Sequence, residues 1–452
     1  MKIVIVGAGE VGSHLAKMLS HEGGDISVVD ISSERLQHLT SIADVAAIQG
    51  SPTSINVLKN AGAQKADLFV AVYPGEYQEI NIVSALLAKN LGARRVTARI
   101  KDDEFLTPEN KLLFKEMGIE LLFFPEKIAA DEISETLKHS GAADSMDFGS
   151  GKLQIAVFKI EEDSPLLDMK LGEFTAAYPD SAEQYRVIAI ARNEKTIIPK
   201  FDTKFMYHDL VYTISKREGI PTLMKLFGKS SIEVDKVMIY GGGQIAEHLA
   251  KNLGNQISNV KIIEADKERC FQLSEKLGDK IQVVNGDGRN TDFLLEESIK
   301  EYDAFVALTN QDETNVLACV VAKKFGISRT VAEVENIEYI HLAEEMGVDT
   351  VINKKLLTAG KIFKFTLSGK ARFVKYMSGT DAEVLEYTVA PGAAITKGSL
   401  RELRFPSNAI IGGIIRGSES MIAIGDTRIE EYDRVAVFAL PESVKEVDKF
   451  FK

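Results

Sequence analysis

Apolar positions along this chain follow two alternating rhythms. Short unbroken runs such as "KIVIV" (residues 2–6) have the length and β-branched content of strands buried on both faces. Each leads through glycine or polar residues into a stretch whose apolar residues recur every three or four positions. "VGSHLAKML" and "INIVSALLAKNLG" show this spacing, which is that of an amphipathic helix. The runs "DISVVD", "ADLFVAV" and "RRVTARI" continue the alternation to about residue 100. Strand and helix alternating over short loops predict a parallel, doubly wound sheet, an α/β fold.

The pattern then restarts. "KIVIVGAGEVGSHLAKML" begins at Lys2 and "KVMIYGGGQIAEHLAKNL" at Lys236, 234 positions later (236 − 2), with nine of eighteen residues identical. Residues 66–100 answer residues 302–334: a strand, a polar loop, a helix ending at Gly92 or Gly326, and another strand. "FKEMGIELLFFPEKIAADEI" likewise answers "AEEMGVDTVINKKLLTAGKI". After about residue 140 the texture changes to a glycine- and serine-bearing linker, "GAADSMDFGSGK", and short strands such as "LQIAVFKI", "YRVIAIAR" and "LVYTIS". The second half repeats this with "VLEYTVA", "NAIIGGIIR" and "RVAVFAL", and Asp202 and Asp209 stand opposite Asp426 and Asp433. The expected architecture is therefore two tandem doubly wound (Rossmann-like) nucleotide-binding domains, residues 1–140 and 235–366. Each is followed by a small α+β, β-rich domain, residues 141–218 and 367–452, and residues 219–234 link the halves.

Composition narrows the function classes. At 452 residues the chain is too long for one ordinary core. It is 45% hydrophobic and 27% charged, and a net charge of −12 argues against nucleic acid as the main partner. The two cysteines, Cys270 and Cys319, fit a reducing compartment, leave no thiol cluster for zinc, and sit in helix-like stretches as small apolar residues. No window approaches the roughly 18 apolar residues of a membrane span. A first strand beginning at Lys2 leaves no room for a signal peptide, so a soluble, cytoplasmic protein is expected.

The glycine phrase carries the candidate chemistry. In Gly7-Ala8-Gly9-Glu10-Val11-Gly12 the first glycine permits a tight turn, the second lets a phosphate approach the backbone, and the third lets helix pack on strand. Backbone N–H groups and the helix dipole then favour an anion. The second copy reads Gly241-Gly242-Gly243-Gln244-Ile245-Ala246. Asp30 ends the second strand of the first half and Glu264 occupies the matching place (264 − 30 = 234), as a ribose requires. A carboxylate there repels a 2′-phosphate, which favours NAD or an adenine nucleotide over NADP. Ser51 stands in a polar turn of the first half where Asp287 stands in the second, and Arg99 answers Glu333. An arginine adds a charge-assisted phosphate contact that a glutamate cannot, so the first pocket is expected to suit a polyphosphate better.

Catalytic signatures are missing from the sequence. The seven histidines are His14, His21, His38, His139, His208, His248 and His341, and no pair has metal-ligand spacing such as HExxH. No GxxxxGK[ST] loop is present. Two other readings stand beside a ligand sensor: an NAD-dependent oxidoreductase with a duplicated dinucleotide-binding domain, and a scaffold whose glycine turns are architecture only.

The duplicated four-part order, with phrases such as "VVNGDGRN" and "ALTNQDETN", resembles the RCK (regulator of potassium conductance, or KTN) family. In tandem it resembles the cytosolic regulatory subunits of bacterial Trk-type potassium-uptake systems. The resemblance implies a dimeric or tetrameric ring docked on a membrane potassium transporter at the inner face of the cell membrane. NAD(H) or ATP/ADP in the nucleotide domains would shift it between conformations. Carried over by motif, Gly7, Ala8, Gly9, Glu10 and Val11 would line the phosphate turn and Asp30 would hold the ribose. Ser51, Tyr73 and Pro74 would flank the base or second ribose, and Arg99 would approach a phosphate. Gly241, Gly242, Gly243, Gln244, Ile245, Glu264, Asp287, Thr309 and Asn310 correspond in the second half. Ser51 departs from an aspartate common in the family, and the loop from Tyr73 to Asn81 is two residues longer than its counterpart from Thr309 to Asn315.

Overall fold

The computed structural model describes residues 1–21, 24–74, 77–138, 144–149, 151–178, 183–193, 195–228, 234–254, 256–366, 371–376 and 382–451. Gly75 and Glu76 of the Tyr73 loop, and His139, lie outside the described residues. The chain divides into two compact units, Met1–Asp131 with Asn353–Thr366, and Glu132–Ile352 with Leu367–Lys452.

The first unit is built on a six-stranded sheet, β1 (Lys2–Val6), β2 (Asp25–Asp30), β3 (Ala46–Gln49), β4 (Leu68–Ala71), β5 (Arg95–Arg99) and β6 (Leu121–Phe123). Its order is β3-β2-β1-β4-β5-β6, with every pairing parallel. Helices cover both faces of such a sheet, so central strands have no solvent side; Ile3, Val4, Ile5 and Val6 are all fully buried. The order reverses between β1 and β4, which opens a crevice beyond their carboxyl ends.

The unit also takes a helix from far along the chain. Lys354–Thr366 packs on Glu10–His21, the helix that follows β1. Ala359 and Ile362 of that distant helix are fully buried, as are Leu15 and Ala16 of the first. Repeat order in sequence therefore does not coincide with compact units in space.

In the second unit a five-stranded antiparallel sheet comes first: β7 (Asp144–Phe148), β8 (Leu153–Lys159), β9 (Tyr185–Arg192), β10 (Lys195–Ile197) and β11 (Leu210–Lys216), ordered β10-β9-β11-β8-β7. A six-stranded parallel sheet follows, β12 (Lys236–Tyr240), β13 (Asn259–Glu264), β14 (Ile281–Asn285), β15 (Ala304–Ala307), β16 (Arg329–Glu333) and β17 (Thr350–Ile352). Its order, β14-β13-β12-β15-β16-β17, repeats that of the first unit. Last come β18 (Ala371–Tyr376), β19 (Glu383–Thr388), β20 (Ala409–Arg416), β21 (Glu419–Ile422) and β22 (Arg434–Ala439), again antiparallel, ordered β18-β19-β22-β20-β21.

The two antiparallel sheets share one core. Phe148, Ile155, Ile188 and Tyr212 of the first pack in the same buried cluster as Val384, Ile415, Ala436 and Phe438 of the second. The small domains also repeat in their polar details. Buried Asp209 accepts from Arg192 Nε and Nη2 at 2.7 Å each, and buried Asp433 accepts from Arg416 Nε at 2.9 Å and Nη2 at 2.8 Å. The residue before each aspartate, His208 or Tyr432, has φ +68°. Of residues 219–234, Ile220–Leu226 is helical, with Phe227 stacked on Phe158 at 4.5 Å between ring centroids, while 229–233 lie outside the described residues.

Candidate nucleotide sites

Each glycine phrase forms a strand–turn–helix crevice at the switch point of its sheet. Gly7 has φ +106° and donates to Val29 O at 2.8 Å, and Gly241 has φ +99° and donates to Ile263 O at 2.9 Å. A Cβ on Gly7 would meet Tyr73 N at 2.8 Å, so only glycine fits. A Cβ on Gly9 would meet nothing within 4 Å, and one on Gly243 only Leu308 O at 4.0 Å. Both turns thus present bare backbone at a helix N-terminus, where unpaired amides favour a phosphate. Ala8, Val11 and Ile245 are buried packing residues of the turns, whereas Glu10 and Gln244 are exposed at the helix starts.

The two acids occupy equivalent places and are held alike. Asp30 accepts from Ala8 N at 2.7 Å on Oδ2 and from Ser32 N at 2.8 Å on Oδ1. Glu264 accepts from Gly242 N at 2.6 Å on Oε2 and from Asp266 N at 2.7 Å on Oε1. The longer glutamate needs a smaller neighbour. A Cβ on Gly242 would stand 2.8 Å from Glu264 Oε2 and 2.6 Å from Leu273 Cδ1, which explains glycine where the first half has Ala8. Asp30 is wholly buried and Glu264 only half-buried, so the second acid is the more open of the two. Tyr73 borders Asp30; burial and the Asp30 charge both push its hydroxyl pKa up, against the opposing Arg35.

The carbonyl at the Ala8/Gly242 position is capped differently in the two halves. Ser13 Oγ donates to Ala8 O at 3.1 Å, while Arg269 Nε donates to Gly242 O at 2.7 Å. Arg269 also bonds Glu247 Oε2 at 3.1 Å, and Lys251 and Lys276 join the same carboxylate. Arg35, the register mate of Arg269 (269 − 35 = 234), has Ser13 where the second half has Glu247 (247 − 13 = 234), and it stays exposed beside Tyr73.

Loops after the fourth strands are pinned by one device. Asn81 Oδ1 accepts from Tyr73 N at 2.8 Å and Nδ2 donates to Tyr73 O at 3.0 Å. Asn315 makes the same two bonds to Thr309, at 2.9 Å each. The clamp is thus the same in both halves, although the first loop is two residues longer in sequence. Pro74 is half-buried and Asn310 is exposed.

Other expected site residues are engaged by the chain itself. Ser51 Oγ lies 3.1 Å from Thr53 Oγ1 on an exposed turn. Asp287 accepts from Tyr240 OH at 3.0 Å and pairs with Arg289 through Nε and Nη2 at 2.7–3.1 Å. The Arg289 guanidinium outweighs burial and holds the Asp287 carboxyl well below the usual range, while burial and that carboxylate push Tyr240 up to about 12. Arg99 Nη2 donates to Glu126 Oε1 at 3.1 Å; Arg99 Nε and Glu126 Oε2 are buried without hydrogen-bond partners among the described residues. A buried guanidinium donor left over at the carboxyl end of β5 fits an anionic ligand.

Sequence reasoning passed over Arg35, Arg269, Asn81, Asn315 and Glu247 as site residues. The constant offset of 234 would have found the arginine and asparagine pairs, since each recurs at that register. Nothing of the kind marks Lys355, whose Nζ lies 3.0 Å from Glu10 Oε2 and which arrives from the other repeat.

Among the described residues there is no group of three or more His, Cys, Asp or Glu able to hold a metal, and no helix long and apolar enough to cross a membrane. Comparison with known proteins covers the whole chain. The family described as the TrkA-N domain matches residues 3–125 and 237–354, and that described as the TrkA-C domain matches 155–228 and 384–452. The Trk system potassium uptake protein TrkA homolog of Archaeoglobus fulgidus is 33% identical over 454 residues, covering 100% of both chains. The Trk system potassium uptake protein TrkA of Haemophilus influenzae is 34% identical, covering 100% of this chain and 99% of its own. Among solved structures, the GsuK RCK domain superposes with a TM-score of 0.62 at 18% identity over 100% of this chain and 94% of its own. A GsuK channel bound to NAD gives 0.61 at 18% identity over 100% and 78%. These last two likenesses establish the shared fold.

Proposed function

Since the chain belongs to the TrkA family of potassium-uptake proteins, with TrkA-N and TrkA-C domains each present twice along its length, we propose that it is a cytosolic nucleotide-sensing regulatory subunit that gates a membrane potassium-uptake transporter. It would act as a dimer or tetramer ring on the inner face of the cell membrane, with no catalysis of its own. The observation that carries this reading is the repeated crevice: a bare glycine, Gly9 or Gly243, at a helix N-terminus, with the residue before it, Ala8 or Gly242, donating its amide to a carboxylate from the next strand, built the same way twice.

Those residues fit an adenine nucleotide. In each pocket the turn amides take phosphate, and Asp30 or Glu264 retains carboxylate lone pairs for ribose hydroxyls while bracing the turn. Tyr73 with Pro74, and Thr309 with Asn310, edge the base side, and NAD(H), ATP and ADP are the candidate ligands. Asp30 is buried and Glu264 half-buried, so the second pocket offers its carboxylate to a ribose more directly than the first. Binding then favours one arrangement over another by its differential affinity, about 1–3 kcal/mol in ordinary allosteric coupling.

Calorimetric titration with NAD⁺, NADH, ATP and ADP tests the reading. Saturable binding is expected, with Asp30→Ala and Glu264→Ala each removing one site and reducing nucleotide-dependent potassium uptake in reconstituted vesicles. Binding of none of the four ligands overturns it. Retained nucleotide-dependent regulation in the double variant would leave these acids as turn braces only.

A further inference from the structure

Two lysines, Lys354 and Lys355, open the helix Lys354–Thr366, with no acidic residue in its first turn. Cations there face the positive end of the helix dipole, an unfavourable placement. The matching helix Pro125–Lys138 carries Glu126 in its first turn, the sign that the dipole favours. Glu126 and Lys355 are counterparts, eight residues beyond Gly118 and Gly347 respectively (126 − 118 and 355 − 347). A local rule broken in one repeat and kept in the other calls for an explanation outside the helix.

Glu10 supplies that explanation. Its Oε2 lies 3.0 Å from Lys355 Nζ, and it is the first residue of the helix Glu10–His21, beside the bare Gly9. The lysine side chain is 14% exposed and the glutamate 64%, so the cation is packed in and the anion free to swing. Asn353 Oδ1 fixes the start of the lysine's helix by accepting from Lys355 N and Leu356 N at 3.0 Å each. A turn later on the first helix, half-buried His14 also faces this cation. Burial, then Lys17 and Lys355, depress its pKa, so it adds no competing positive charge near neutral pH. The result is a fixed lysine and a displaceable carboxylate where a nucleotide's phosphates would lie. Gln244 holds the register of Glu10 in the second repeat (244 − 10 = 234) and is neutral.

We propose that Lys355 is a phosphate-reading residue of the first nucleotide pocket: supplied by the second repeat, it is held by Glu10 in the free protein and passes to the terminal phosphate of ATP or ADP when one binds. This rests on the nucleotide reading above and gives it a chemistry, a preference for nucleoside polyphosphates over monophosphates. It also ties occupancy of the first pocket to a helix that continues directly from β17 of the second repeat.

The test is hydrogen exchange of the full chain, titrated with AMP, ADP and ATP and followed on the peptide spanning residues 7–19, which reports the first pocket alone. Lys355→Gln is expected to lower the ATP-to-AMP affinity ratio about tenfold, the loss of one charge-assisted hydrogen bond. Lys355→Arg should keep the ratio, and Glu10→Gln should raise it by removing the competing anion. A ratio within about twofold of wild type in Lys355→Gln overturns the proposal. Should that variant fail to fold, an unraised ratio in Glu10→Gln does so instead. If none of the three nucleotides protects the wild-type peptide, the nucleotide reading itself falls, and this inference with it.

Discussion

At the residue scale, the two repeats test each other's side chains. Ala8 with Asp30 and Gly242 with Glu264 are two solutions to one volume, a shorter acid beside a methyl group and a longer acid beside none. Gly242→Ala is therefore expected to destabilise the second unit by about 1–3 kcal/mol through overpacking. Adding Glu264→Asp should recover most of that loss, because it recreates the first repeat's pair. Urea midpoints of the two single variants and the double variant check this; simple additivity of the two changes would show that Glu264 is not the obstacle.

Helix packing around the second turn depends on one buried charge. Glu247, 8% exposed, joins Lys251, Arg269 and Lys276 and so ties the helices Gln244–Leu253 and Lys267–Leu277 together. Burial opposes its ionisation, yet the three cations prevail and hold its pKa at about 2 against an ordinary 4.5. A depressed carboxyl pKa adds stability above pH 4.5 that disappears as pH falls through about 2. Glu247→Gln should thus cost about 1–3 kcal/mol at pH 7. Its difference from wild type should shrink as pH drops below 4.5, when followed by denaturant unfolding at several pH values. A pH-independent difference would mean that packing, not charge, joins these helices. The sequence showed the helices through their apolar spacing, but a glutamate on the first of them looks like any surface residue until its neighbours are known.

Across the whole molecule, the compact units cut through the sequence repeats. Asn353–Thr366 belongs with Met1–Asp131, so a fragment ending near residue 234 lacks the helix that packs on Glu10–His21 in the first unit. That fragment is expected to unfold at a lower urea concentration than the same unit in the full chain, with faster proteolysis of residues 10–21. Equal midpoints would show that the crossing helix adds nothing to stability. The shared core of the antiparallel sheets predicts a similar interdependence: Phe438→Ala should cost about 3–5 kcal/mol and loosen both sheets, as read by exchange at β8 and β22.

By itself the sequence determined the four-part order, the parallel sheets, the glycine turns and the acids that brace them. These depend on local spacing, on the two-residue and 3.6-residue rhythms and on glycine at positions where a Cβ cannot stand, all of which are written along the chain. Tertiary structure alone decided which acid is open, which carbonyl is capped by Ser13 or by Arg269, and that Arg99 is occupied by Glu126. It also decided that a lysine 345 positions away (355 − 10) meets Glu10 beside the first glycine turn. Those outcomes depend on which distant residues share a neighbourhood, and no periodicity encodes that.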